Sequence, residues 1–256
     1  LAKATNQVLQ TPGRTVQTVA QASFDAWVKY YRQDENTPNA TVSYYTKGSL
    51  VALCLDLTLR REGKTTLDDV MRALWKRCAG GPMSEADLRA ELATLGGRSF
   101  DAELDQWVHS TAELPVAELL AAHGVALKPE QPQLAQRLGV RVTENHSVQI
   151  KTVLRGGPAE KAGMAAGDEW LGLDVKGQGW RIARLEDVAF YAGPATLFTA
   201  VVARDGRLLQ LPLALPAITP ARSKPAGQRS RKSPAATPDT ISLTATDSAT
   251  LGRWLA

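Results

Sequence analysis

The residues with most chemistry to offer are Tyr44-Tyr45-Thr46-Lys47-Gly48, which stand directly before an apolar run from Leu50 to Leu59. A phenol can stabilise developing negative charge by donating a hydrogen bond, or it can simply cover the edge of a helix start with an amphipathic ring. Little else in the chain is reactive. His109, His123 and His146 lie far apart and outside any H-E-x-x-H motif, so each is expected at a surface or a helix end rather than on a metal. Cys54 and Cys78 are not at metal-ligand spacing and are expected to act as small buried hydrophobes. Asp34-Glu35 sits in a polar loop without the alternating oxygens of a calcium loop. No G-x-S-x-G elbow, P-loop or dinucleotide fingerprint occurs. These residues alone make no complete active site.

The elements that would position the phenols are helices. Val16 to Tyr31 carries Ala20, Phe24, Trp27, Val28 and Tyr31 on one helical stripe after the breaker Pro12-Gly13. DENTPN (34–39) is expected to be a loop, and the run from Leu50 to Leu59 is apolar on nearly every face, as a helix sunk in a core would be. Leu67, Val70, Met71, Leu74, Trp75 and Cys78 follow helical spacing, with Thr66 as N-cap and Asp69 in the first turn. Ser84 with Asp87 repeats the device, and Gly96-Gly97 stops that helix. Helices are also expected from Phe100 to His109 and from Pro115 to His123.

Near Lys128–Pro132 the pattern changes to short β-type runs, at Val148–Val153, Trp170–Leu173, Leu197–Val202 and Leu208–Leu213, with Asp205-Gly206 as a hairpin turn. The fold class is therefore α+β. We divide the chain into a helical region, 1–128, a β-rich domain, 136–216, a disordered basic linker, 217–238, and a C-terminal segment, 239–256, that docks on the body.

The 256 residues are 44% hydrophobic and carry a net charge of +4. Five bases, Arg222, Lys224, Arg229, Arg231 and Lys232, cluster in the linker without an acid among them. Setting them aside brings the 30 basic residues to 25 against 26 acidic ones. The folded part is thus near neutral, and nucleic acid is not expected as a partner. No apolar run approaches the length of a membrane span and no signal segment is in view, so no membrane partner is expected. The start at Leu1 reads as the interior of a longer protein, which leaves the compartment undetermined, with cytoplasmic favoured over periplasmic.

The β-rich region holds Leu138-Gly139-Val140 and, after a strand, Arg155-Gly-Gly-Pro-Ala-Glu-Lys-Ala-Gly-Met-Ala-Ala-Gly-Asp-Glu169. This resembles a PDZ domain of the kind attached to bacterial proteases. The resemblance implies that Leu138, Gly139 and Val140 form a carboxylate-binding loop and that Arg141, Val142 and Thr143 begin a strand that pairs with an incoming peptide. The helix around Leu185–Phe190 would be the other groove wall. The insertion Lys176–Trp180 departs from the usual short turn and puts access to that groove in question.

The helical region, through Thr11-Pro12-Gly13-Arg14, Ser23–Trp27, Tyr44–Gly48, Leu55-Asp56-Leu57 and Leu67–Met71, resembles the glycyl aminopeptidase family. Those are zinc metallopeptidases with a thermolysin-like catalytic domain followed by a PDZ domain. The resemblance implies that residues 1–128 are the helical C-terminal lobe of that catalytic domain. The family's H-E-x-x-H pair and later glutamate ligand precede this region, so zinc belongs to the parent protein, none is expected on this chain, and the chain alone is expected to be inactive. In related zinc aminopeptidases a Tyr-x-Lys-Gly motif sets a tyrosine beside the metal, where it donates to the oxyanion as the zinc-bound water attacks the peptide carbonyl. By resemblance Tyr45 takes that catalytic role, with Tyr44 structural and Lys47 supporting the local fold. The competing expectation is a non-catalytic module whose PDZ groove captures peptides on a helical scaffold.

Overall fold

The computed structural model describes residues 1–215 and 240–255; the expected linker at 217–238 lies outside the described residues. The helical lobe runs α1 (Ala2–Leu9), a 3-10 turn at Pro12–Thr15, α2 (Val19–Phe24), a π turn at Ala26–Tyr30, α3 (Thr37–Ala40), α4 (Tyr44–Glu62), α5 (Leu67–Cys78), α6 (Glu85–Gly96), α7 (Asp101–Trp107) and α8 (Val116–Ala122). α4 is its axle. Leu50, Cys54, Leu55, Leu57 and Leu59 of α4 are buried among Val70, Leu74, Leu92, Leu104 and Leu120. Truncating one such leucine to alanine would cost about 2–5 kcal/mol. Burial pushes the Cys54 thiol up to about 12, while Cys78 is only partly buried.

Local chemistry sets the helix ends. Ser43 caps α4, whose last residue is followed by left-handed Gly63. Thr66 with Asp69 and Ser84 with Asp87 form reciprocal capping boxes on α5 and α6, and left-handed Gly97 closes α6.

Two stretches depart from expectation. Val16 to Tyr31 is not one helix but α2 followed by the π turn, closed by an i→i−5 bond from Tyr31 N–H to the Ala26 carbonyl at 2.9 Å. Its small residues, Ala22 and Ala26, face the lobe, whereas Phe24, Trp27 and Val28 are 90%, 78% and 67% exposed. The apolar stripe is real, but it points away from this core. DENTPN is partly helical: α3 begins at Thr37, whose hydroxyl donates to Asp34 while Pro38 sits in the first turn.

After α8 come β1 (Val125–Glu130), α9 (Leu134–Leu138), β2 (Val140–Glu144), β3 (Val148–Val153), α10 (Pro158–Lys161), β4 (Glu169–Val175), β5 (Gln178–Arg181), α11 (Leu185–Ala192), β6 (Leu197–Arg204) and β7 (Arg207–Ala214), then β8 (Thr240–Ala245) and α12 (Ser248–Leu255). β2-β3-β4-β6-β7 form an antiparallel sheet in that order, with β5 paired to β4. Its separate core gathers Leu138, Ile150, Trp170, Leu173, Val188 and Leu213. Asp205 and Gly206, with φ of 49° and 77°, make the β6–β7 turn that the right-handed strand twist favours. Asp168, fully buried, accepts from Arg204 Nε at 2.6 Å and Nη2 at 2.8 Å and from the Ala165 N–H at 2.9 Å. That ion pair fastens the Gly163–Asp168 turn to β6.

β8 pairs with β1 from Val125↔Ala245 to Glu130↔Thr240, and Asn6 grips Ile241 by both its N–H and its carbonyl. α12 brings Trp254 edge-on to His123, ring centres 6.0 Å apart. β1 is a strand the sequence hides, because Val-Ala-Leu-Lys-Pro-Glu lacks alternation and contains a proline. The lobe meets the sheet through buried Asn39 of α3, which donates to the Val153 carbonyl at 2.8 Å and accepts from the Arg155 N–H at 2.9 Å.

Candidate functional site

The first turn of α4 presents the phenols. Thr41 and Val42 are buried extended backbone, the Ser43 hydroxyl accepts the Thr46 N–H, and Tyr44 and Tyr45 follow at once. One helical step separates them, so Tyr44 is half-buried while Tyr45 is 58% exposed. Lys47, three residues on from Tyr44, faces inward: it is only 2% exposed, and its ammonium donates to the Arg14 carbonyl at 3.5 Å. Burial pulls its pKa down, with Glu113 opposing that shift and Arg14 adding to it. Lys47 is therefore a strut between α4 and the 3-10 turn, not a group aimed at solvent.

The π turn delivers a third phenol. Tyr31 Oη lies 3.1 Å from Tyr45 Oη and 3.3 Å from Tyr44 Oη. The rings of Tyr44 and Tyr45 lie 4.2 Å apart, Tyr30 meets Tyr44 edge-on at 5.4 Å, and Trp27 leans on Tyr31 at 5.1 Å. The Tyr45 phenol is more acidic than usual, chiefly because Tyr31 bonds to its oxygen, with the neighbouring Tyr44 hydroxyl adding to the shift; the Tyr44 phenol is less acidic, again chiefly through Tyr31. A phenol whose oxygen accepts hydrogen bonds is a better donor of its own proton. Trp27, Tyr31 and Tyr45, each more than half exposed and linked by ring or hydroxyl contacts, thus form an exposed aromatic rim at the start of α4.

Gly13 fixes the approach to this rim. A methyl added there would collide with the backbone nitrogen, carbon and oxygen of Thr41, two residues before the α4 cap. We predict that Gly13→Ala lowers stability by about 1–3 kcal/mol, since backbone and not a flexible side chain must yield. It should also alter the near-ultraviolet tyrosine dichroism. An unchanged melting temperature and spectrum would show that the 41–43 segment is not held by this contact.

The second set of expected residues lies some distance along the chain, in the sheet unit. Leu138 is fully buried at the end of α9, and Gly139, with φ of 73°, caps that helix. The Gly139 N–H is spent on the Ala135 and Gln136 carbonyls, and its own carbonyl accepts from Leu154 N–H at 2.7 Å. Val140 is buried, Val142 and Thr143 are half-buried, and Arg141 is exposed toward a cleft that it shares with Gln133, Gln136 and Thr240. Desolvation draws the Arg141 pKa down. β2, which carries them, is an edge strand among the described residues. Its end is tied to α11 by Glu144, which accepts the Leu185 N–H at 2.6 Å. The Lys176–Trp180 insertion forms the β4–β5 hairpin, and Trp180 stacks on Tyr191 of α11 at 4.7 Å. The structure brings Tyr45 together with Tyr31, Tyr44 and Tyr30, and brings Leu138–Thr143 together with α11, as two separate places. The sequence singled out Tyr45 but offered Tyr31 only as one member of a helical stripe; the π turn reveals it as a hydroxyl partner.

Among the described residues no group of three or more His, Cys, Asp or Glu could hold a metal ion, so the residues present do not fit a zinc site. No helix among them is long and apolar enough to cross a membrane.

Residues 1–51, which include the whole aromatic rim, match the sequence model of the family described as M61 glycyl aminopeptidase. The fold is similar to the crystal structure of an aminopeptidase N family protein from Idiomarina loihiensis, with a TM-score of 0.81 and 25% sequence identity. That match covers 99% of this chain and 43% of the other, so the chain spans less than half the length of that relative. No curated protein matches the chain. Both likenesses are to aminopeptidase families.

Proposed function

We propose that this chain is the C-terminal half of a zinc-dependent aminopeptidase and that Tyr45 is its contribution to peptide-bond hydrolysis. The observation that carries the proposal is the Tyr45 phenol itself: exposed, held by two other phenols, and set on an outward aromatic rim inside the segment that matches the peptidase family. Zinc, when bound in the parent protein, would polarise the peptide carbonyl and activate water, and its ligands would come from outside the described residues. What this chain's residues do is narrower. Ser43 starts α4, Gly13 and Lys47 hold its first turn in place, and Tyr45 offers a proton to the oxygen that gains charge as the carbonyl becomes tetrahedral. The aromatic rim excludes water around that oxygen once the rest of the enzyme faces it.

The sheet unit, in this proposal, is a PDZ-like domain whose β2 edge and α11 take a peptide or pack within the parent protein. A second reading, a non-catalytic peptide-binding module on a helical scaffold, draws on that same β2 edge, outermost in its sheet among the described residues. One experiment on the purified chain separates the two. The peptidase reading expects no aminoacyl-substrate turnover and no stoichiometric zinc, with both restored in the complete protein. Turnover by this chain alone would sink the assignment, and micromolar capture of a C-terminal peptide library with no activity in the complete protein would favour the binding module.

A further inference from the structure

Three hydroxyls in a row share three protons, and the order in which they are shared decides what Tyr45 can do. Tyr31 Oη stands between the other two, 3.3 Å from Tyr44 Oη and 3.1 Å from Tyr45 Oη. Each phenol donates once. If the chain runs from Tyr44 to Tyr31 to Tyr45, the last proton projects from Tyr45; if it runs the other way, Tyr45 spends its proton inward and cannot serve a substrate.

Burial favours the first order. Tyr44 is half-buried beneath Tyr30 and Tyr45, with its proton best used inside, whereas Tyr45 is 58% exposed at the rim. The opposite directions in which the Tyr44 and Tyr45 phenols shift agree with Tyr44 as donor and Tyr45 as acceptor. Among the described residues no hydrogen bond joins Tyr30, Tyr31, Tyr44 or Tyr45 to a charged side chain; the nearby Lys29 is engaged by Asp25 at 2.7 Å, and Lys47 points to the Arg14 carbonyl.

The placement of Tyr31 is also built rather than incidental. It follows the π turn, a rare insertion that shifts all later side chains around the axis relative to an α-helix. Tyr31 is 52% exposed, so no core holds its ring. Its place is set by Trp27, by an edge contact with Tyr30 at 5.3 Å, and by the two hydroxyls. A residue needed only for packing would require the ring and not the oxygen.

We propose that Tyr31 is a positioning residue: its hydroxyl takes the Tyr44 proton, donates its own to Tyr45 Oη, and so leaves the Tyr45 proton directed outward to the carbonyl oxygen of a peptide substrate. This rests on the role given to Tyr45 above. The substitution Tyr31→Phe keeps the ring and removes only the oxygen. In this chain labelled with carbon-13 at the tyrosine Cζ atoms, the Tyr45 signal, assigned by its loss in Tyr45→Phe, should ionise at higher pH in Tyr31→Phe, with the melting temperature unchanged. Tyr30→Phe, which removes only the Ser43 contact, should leave it in place. In the complete enzyme Tyr31→Phe should lower kcat about tenfold, the loss of one neutral hydrogen bond, with KM held. A Tyr45 ionisation indifferent to Tyr31→Phe overturns the proposal. If that ionisation moves but Tyr45→Phe leaves kcat intact, the hydroxyl chain exists and the catalytic reading beneath it fails.

Discussion

In the complete enzyme, Tyr45→Phe is expected to lower kcat by about a hundredfold or more while KM changes little. The substitution removes one oxygen from an exposed side chain, so it opens no cavity, and Tyr44 and Tyr30 still pack on the remaining ring. In the role proposed for Tyr45, what it removes is a donor aimed at charge that exists only in the transition state. Such donors contribute a few kcal/mol because they are fixed before the reaction and need no reorganisation during it. In that proposed role substrate binding does not use the bond, so the loss belongs in kcat and in kcat/KM together. Measuring both parameters on an aminoacyl substrate decides the matter. An unaltered kcat, or a loss confined to KM, removes Tyr45 from the chemistry.

A large effect on stability is expected at Asp168→Ala, which should destabilise the sheet unit by about 1–3 kcal/mol. Asp168 is fully buried and satisfied by two Arg204 nitrogens and the Ala165 N–H. Taking away the carboxylate leaves the Arg204 guanidinium, which is 32% exposed, without its anion, and leaves the Gly163–Asp168 turn held to β6 by the Arg204 bond to the Gly163 carbonyl at 2.8 Å. Water can reach the remaining guanidinium, so the cost comes chiefly from the Ala165 N–H and the buried space that lose their partner. The test is amide exchange of β3, β4 and β6, whose protection should fall together while α4 stays protected, since the two cores are separate. Arg204→Lys should lose less, since it keeps the charge but not the two-pronged geometry. Uniform loss of protection across both cores would show that the lobe and the sheet unfold as one.

Much of the helical lobe was legible because its signals are local. A threonine or serine three residues before an aspartate closes its own hydrogen bonds within one turn, so Thr66–Asp69 and Ser84–Asp87 could be read without knowing what surrounds them. The same holds for the Asp205-Gly206 turn, where two positive φ angles require those residue types. Tyr45, whose catalytic role is the proposal made above, was marked through the resemblance of Tyr45-Thr46-Lys47-Gly48 to a family motif. Tyr31 was not, since a stripe of Phe24, Trp27, Val28 and Tyr31 carries the same periodicity whether it faces a core or leaves one.

The amino-acid sequence by itself determined the capped starts of α5 and α6, the glycine stop of α6, the β6–β7 turn, and that a phenol pair opens α4. Only the tertiary structure decided that the stripe before it faces outward, that a π turn places Tyr31 against Tyr45, that β8 returns to pair with β1, and that Asn39 joins lobe to sheet. The division has a physical cause. Caps and turns satisfy backbone groups within a few residues, while the facing of a stripe and the meeting of Asn6 with Ile241 depend on which surfaces other segments already occupy.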